Sequence, residues 1–250
     1  METQMIEKPQ VKRTTGTAGV VAYAGAAAFV IAAAWFWLAT KRVTVAPAPR
    51  VGPSVPLEQG MRIYYRWQVT TLTQERFYTS IAIAGFLCLA VAAVFLRDLL
   101  ARDRALARIG SFTIGAGALL WITGSVAQLG GHHAVGLMAT HTNPIQTTNS
   151  IAFTIDMIAA AFALAAFVLI GAGMLAFAVT AAREHAGYRA WAGYTIAVAL
   201  TLLVLAWSYA AGNGSLSDLL LIADGLLLLP LWLIWTGHIG GIEPESPSAA

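Results

Sequence analysis

Apolar residues along this chain gather into six long runs, at about 17–39, 77–96, 110–130, 151–181, 190–211 and 217–237. A helix needs about 20 apolar residues to cross roughly 30 Å of hydrocarbon, so each run predicts one transmembrane helix. The fourth is longer than a span requires and is expected to tilt or protrude. The pattern therefore predicts an all-α, polytopic bundle of six spans: a short segment at 1–16, the bundle at 17–237 and a polar tail at 238–250.

The longest polar interval, 40–76, separates the first two runs. Its prolines, Pro47, Pro49, Pro53 and Pro56, fix φ and withhold backbone donors, which predicts an extended linker. From Leu57 onward the pattern changes: Met61, Tyr64, Tyr65, Val69 and Leu72 recur at helical spacing, while Glu58, Arg62 and Arg66 form an i, i+4 ladder. The expectation is an amphipathic helix that lies on the membrane or extends the second span outward.

Composition agrees with a lipid environment, because 58% apolar and 11% charged residues do not suit a water-facing surface. The formal charge of +3 does not mark a nucleic-acid partner, since the basic residues sit in short clusters between apolar runs. They orient the chain instead. Lys8, Lys12, Arg13, Arg97, Arg102, Arg104, Arg108, Arg183 and Arg189, nine of the 15 Lys and Arg, fall on one side. By the positive-inside rule that side is cytoplasmic, with both termini, in the inner (plasma) membrane of a bacterial cell. Lys41 and Arg42 count mildly the other way. Lys8, Lys12 and Arg13 precede a run too long for a signal-peptide core, so an uncleaved anchor is expected, with cleavage after Ala48 as the alternative. Trp35, Trp37, Trp207 and Tyr209 are placed at one interface and Trp191, Trp232 and Trp235 at the other, as aromatic belts.

Small residues mark where helices meet, because lipid supplies no hydrophobic drive between them. Ala24 to Ala28, Gly115, Gly117, Gly124, Ala159 to Ala161, Gly171 and Gly173 predict tight packing without a wide aqueous pore, and Pro230 predicts a kink in the last span. The single cysteine, Cys88, allows neither a disulfide framework nor a thiolate cluster.

Chemistry concentrates toward the outer side. Asp156 and Asp224 lie inside apolar runs, where an ionisable group needs a bundle-facing partner or a function. Asp218 lies near the surface, positioned to cap the sixth helix. His132, His133 and His141 are expected in the outer loop after the third span, with His185 and His238 on the cytoplasmic side, so a haem held between two spans by paired histidines is disfavoured. Together with Met138, Asp156 and Asp224, the outer histidines form a ligand set suited to copper or zinc. The plainer reading is of solvated loop histidines. Trp121, Ser125, Gln128 and His132 form one stripe of the third span, and Asn149 and Asp156 share a face of the fourth. If the stripes meet, a buried hydrogen-bonded network results, which either fixes helix register or holds a small ligand, ion or proton. The sequence contains no nucleophile elbow, P-loop, His-Glu-x-x-His or dinucleotide fingerprint.

Two resemblances add expectations. Gly187-Tyr188-Arg189-Ala190-Trp191-Ala192-Gly193 and Pro230-Leu231-Trp232-Leu233-Ile234-Trp235-Thr236-Gly237, with the short basic loops, resemble a broad uncharacterised family of six-helix bacterial membrane proteins. That resemblance implies topology and no reaction. Arg102-Asp103-Arg104-Ala105-Leu106-Ala107, and Asp224 through Pro230-Leu231, look like the C subunit of copper membrane monooxygenases. The likeness implies an Asp-x3-His-x12-His copper site with His133 in the middle place, but Leu129 and Gln146 stand where its other ligands belong. The leading expectation is a non-catalytic membrane protein, a subunit of a larger complex or a small-ligand binder. Its competitors are a copper-dependent oxidoreductase subunit and an ion or proton translocator.

Overall fold

The computed structural model describes residues 14–41, 55–100, 104–140, 144–184 and 186–239. Six helices account for nearly all of them: α1 (Thr14–Thr40), α2 (Leu57–Leu99), α3 (Arg104–Thr140), α4 (Ile145–Glu184), α5 (Arg189–Ala210) and α6 (Gly214–Ile239). The fold is all-α, without a strand among the described residues. All six helices are long and apolar enough to cross a membrane. Each packs on its neighbours in sequence, and α1 closes the ring against α6. The start of α1 meets the end of α6, where Tyr23 and His238 lie 3.3 Å apart. Both ends of the described chain thus lie at one end of the bundle, here termed the terminal face; the loops after α1, α3 and α5 define the distal face.

Three helices exceed a membrane's needs. At 1.5 Å per residue, the 43 residues of α2, 37 of α3 and 40 of α4 extend about 55 to 65 Å, roughly twice the hydrocarbon thickness. The amphipathic stretch from Leu57 is therefore the continuous beginning of α2, which extends the second span rather than lying flat. Its Tyr65 packs with Val135 and Ala139 of α3 and Ile145 and Ala152 of α4 in a core of their own. The Tyr65 hydroxyl donates to Asn149 Oδ1 at 2.8 Å.

Close backbone approach joins α3 to α4. Gly110, Gly117, Gly124 and Gly131 recur every seven residues, about two helical turns, and so line one face. A Cβ on Gly117 would lie 2.7 Å from the Ala166 carbonyl oxygen, one on Gly124 2.8 Å from Phe162 Cβ, and one on Gly131 2.6 Å from Ile155. Gly110 meets Gly173 directly, backbone to backbone. Gly115, expected in the same contact, has open space around it, and Gly171 faces Ala199 of α5. Heptad phase, and not glycine content, selects the buried positions.

The outward faces carry Phe112, Leu119, Phe153, Leu200, Trp207 and Leu219, all exposed. In a chain with six spanning helices, lipid is the medium that these side chains meet. Three expected belt residues lie elsewhere: Tyr209 turns inward against Phe167, and Trp191 and Trp232 are fully buried. Their indoles stack obliquely at 5.9 Å and donate to Thr236 Oγ1 at 3.3 Å and to Thr195 Oγ1 at 2.9 Å. A buried indole N–H needs an acceptor, and threonines on the facing helices supply it. Instead of Asp218, Asn213 caps α6, its side chain accepting from the Leu216 N–H, after Gly212 turns the chain at φ +67°.

If the glycine face sets the α3–α4 spacing, Gly117→Val should lower stability by about 1–3 kcal/mol, as overpacking does, whereas Gly115→Val should leave it within about 0.5 kcal/mol. Thermal unfolding of the two variants in the same detergent tests this; equal losses would show that the stripe does not hold the pair.

Candidate functional site

A cavity of about 440 Å³ occupies the centre of the ring, walled by all six helices toward the distal face. Its floor and sides are apolar. Phe86 and Trp121 stack at 4.2 Å, Phe29 meets Phe86 edge-on at 5.1 Å, and Phe167 and several alanines complete the wall. Four carboxylates interrupt this surface, Glu75, Asp156, Asp218 and Asp224, together with Tyr78, Ser125, Gln128 and Tyr209. No lysine or arginine lines it among the described residues.

Glu75, His132 and Asp156 form a bridge across α2, α3 and α4. His132 Nδ1 lies 3.1 Å from Glu75 Oε1, and its Nε2 lies 2.9 Å from Asp156 Oδ1. His132 is only 8% exposed, although Asp156 remains open on one side. A carboxylate offers only acceptors, so both contacts are hydrogen bonds at once when the ring carries two N–H groups or one carboxyl carries the proton. Gln128 Nε2 donates to the same Asp156 oxygen at 3.4 Å. The two carboxylates grip opposite edges of one ring, which holds the long helices in register where the bundle meets the projecting α2–α3–α4 segment.

Asp224 is a different case. It begins a π-helical stretch, Asp224–Leu228, in which the Leu229 N–H reaches back to the Asp224 carbonyl. Such a bulge widens one turn and leaves backbone groups to be met by neighbours. It lies immediately before Pro230, whose missing N–H had predicted a kink. Tyr194 of α5 donates its hydroxyl to the Leu228 carbonyl at 2.9 Å, and Gly225 lets α1 approach so closely that a Cβ there would lie 2.6 Å from Ala33 Cβ. The Asp224 side chain is 2% exposed. Its Oδ1 lies 2.8 Å from Thr201 Oγ1, a hydroxyl equally near the Val198 carbonyl and able to donate to one of them. Its Oδ2 has no partner among the described residues.

The structure brings together Ser125, Gln128, Asp156 and Asp224 as cavity-lining residues, with His132 behind Asp156. His132 and His133 lie on α3 rather than in a loop, because that helix runs on to Thr140. Adjacent positions diverge by about 100° along a helix, which leaves His133 exposed while His132 is buried. Asn149 serves the projecting segment through Tyr65, and His141 lies outside the described residues. Among the described residues no group of three or more His, Cys, Asp or Glu side chains could hold a metal ion. The reason is geometric: the two ring nitrogens of His132 point away from each other, toward separate carboxylates.

Glu75 is the participant that sequence reasoning missed. It stands just before the second apolar run, next to Arg76, and resembles an interfacial charge. Only the continuity of α2 through this point reveals it as a carboxylate facing α3.

The fold and the site define a multi-pass, all-α membrane protein with a carboxylate-lined central cavity. No protein-family model matches the chain, and no curated protein or solved structure matches it either.

His132→Ala should cost about 1–3 kcal/mol, because two carboxylates lose their shared partner. Adding Glu75→Gln should then be less harmful than it is in the wild type. A double-mutant cycle by thermal unfolding measures that coupling, and strict additivity would mean that the bridge contributes no joint stability.

Proposed function

We propose that this protein is a non-catalytic small-ligand binder of the bacterial inner membrane, with both termini cytoplasmic and the cavity placed toward the outer side. The observation that carries this reading is the cavity itself. A well-packed bundle has few voids larger than a water molecule, yet here all six helices leave about 440 Å³ between them. That volume lies within the range of small-molecule sites, roughly 300–1,000 Å³, and an apolar wall with a few placed polar groups is the usual lining. The charge distribution supports the orientation, since the short basic loops lie on the side opposite the carboxylates that line the cavity. A role within a larger membrane assembly is compatible with this reading, the projecting α2–α3–α4 segment being the natural contact surface.

Occupancy can be measured directly. A panel of aryl-alkyl probes added to the detergent-purified protein should quench Trp121 fluorescence saturably, and a probe at about 100 times its Kd should stabilise the fold by about 2.7 kcal/mol. Ala82→Phe and Ala163→Phe, which fill the cavity, should remove both effects while leaving the protein folded. If no probe binds the wild type, the cavity is not a ligand site. In a Cys88→Ser background, an impermeant maleimide added to intact cells should label His133→Cys and spare Arg104→Cys; the opposite pattern would invert the proposed topology.

A second reading, proton movement, draws on one specific observation: Glu75, His132 and Asp156 form a continuous hydrogen-bonded chain that opens on a cavity holding two further carboxylates. Liposomes containing the protein would then dissipate a proton gradient, and Asp156→Asn would stop the flux. Wild-type liposomes that hold the gradient as tightly as empty ones would exclude it. A copper centre is not proposed, because the described members of its ligand set do not converge on a common point.

A further inference from the structure

We infer that the ligand of the central cavity is a hydrophobic amine, bound as its ammonium ion with the charged nitrogen at Asp224 and the apolar body among Phe29, Phe86, Trp121 and Phe167. The inference rests on the cavity being a ligand site and adds the chemical class of what it holds.

Three independent features specify the ligand. The first is an unanswered acceptor. Asp224 is 2% exposed and belongs to the cavity wall, and its Oδ2 has no hydrogen-bond partner among the described residues. A buried polar atom without a partner costs about 1–3 kcal/mol; Oδ2 is sealed beneath the wall, so a donor in the cavity recovers that energy through a turn of the carboxylate about its Cβ–Cγ bond. Thr201 does not remove this deficit, because it has one hydroxyl hydrogen, lies against the other oxygen and has the Val198 carbonyl as a competing acceptor.

The second feature is the sign of the wall. Glu75, Asp156, Asp218 and Asp224 are acidic, and no lysine or arginine lines the cavity among the described residues. His132 is the one ionisable base adjacent to it among those residues, and both its ring nitrogens are engaged by Glu75 and Asp156. Neither Asp218 nor Asp224 has a cationic partner among the described residues. An anionic ligand would meet repulsion from any ionised carboxylate, whereas a cation favours the ionised form and is held by it.

The third feature is the aromatic lining. The stacked Phe86 and Trp121, with Phe29 edge-on, line the same cavity as Asp224, the Phe29 ring lying against Gly85 of α2. Ring faces attract an ammonium group and accept its hydrocarbon or aryl body. An ammonium bearing at least one N–H is favoured over a quaternary one, because only the former donates to Oδ2. A bare metal cation is disfavoured by the same wall, which offers few oxygens near one another and much hydrocarbon.

The decisive experiment compares three probes of one shape on the full-length wild-type protein in detergent: 4-phenylbutylammonium, 4-phenylbutanol and 4-phenylbutyrate, each followed by isothermal titration and Trp121 quenching. The ammonium should bind at least tenfold more tightly than the alcohol, and the carboxylate should not bind measurably. In Asp224→Asn the advantage of the ammonium over the alcohol should fall to less than threefold, with the affinity for the alcohol unchanged. Equal affinity of alcohol and ammonium in the wild type would overturn the amine assignment while leaving the cavity a ligand site. Failure of all three probes would remove the binding-site reading beneath it. Because the wild-type comparison needs no variant, the assignment stands or falls even if Asp224→Asn does not fold.

Discussion

Hydrocarbon offers a protein nothing to hydrogen-bond with, and that single constraint organises this molecule. Every polar group carried into the bundle must be answered by another part of the chain. The answers are visible throughout the structure: threonines meet buried tryptophans, Ser208 pairs with Ser217 across the α5–α6 turn at 2.8 Å, and Tyr194 meets a carbonyl beside the π-helical turn. His132 answers two carboxylates from two different helices. Against this background the one buried side-chain oxygen without a partner among the described residues, Oδ2 of Asp224, is informative.

The same solvent explains how the helices are held. Without a hydrophobic drive between spans, contact must come from dispersion at close range, which is why glycines at heptad spacing bring α3 onto α4 along their length. This mode of packing also shapes the centre of the molecule. The six helices share one packed core over much of their length, and toward the distal face they part around the cavity. Alanines at Ala82, Ala159, Ala160 and Ala163 keep that space open, and aromatic rings define its boundary. The architecture that secures the bundle is thus also the source of its site.

Site and seam are linked at the π-helical turn. Adding a residue to one turn of α6 rotates the remainder of that helix, so that Asp224 faces inward while Pro230 falls where its missing N–H is tolerated. Gly225 then permits α1 to close the ring directly behind the carboxylate. An acidic group that is costly in lipid is retained at the junction of the first and last helices, the point where the ring is completed.

The six spans, the all-α class and the helical character of the stretch from Leu57 were legible in the linear pattern, because burial in lipid depends on the local density of apolar residues and helical period, whereas the choice between a flat helix and a continuation of α2 was not. Asp156 and Asp224 were also recognisable as exceptional, since a carboxylate within an apolar run is improbable unless it is used. Other features were undetermined by the chain alone: that Glu75 faces His132, that His132 and His133 part company, that Trp191 and Trp232 lie in the core, and that Gly117 is buried while Gly115 is not. Each depends on the rotational phase of one helix against another, and phase is set by how side chains interlock across a seam. Local composition determines which segments enter the membrane; only the packed bundle decides which of their faces meet, and therefore that four distant carboxylates share one cavity.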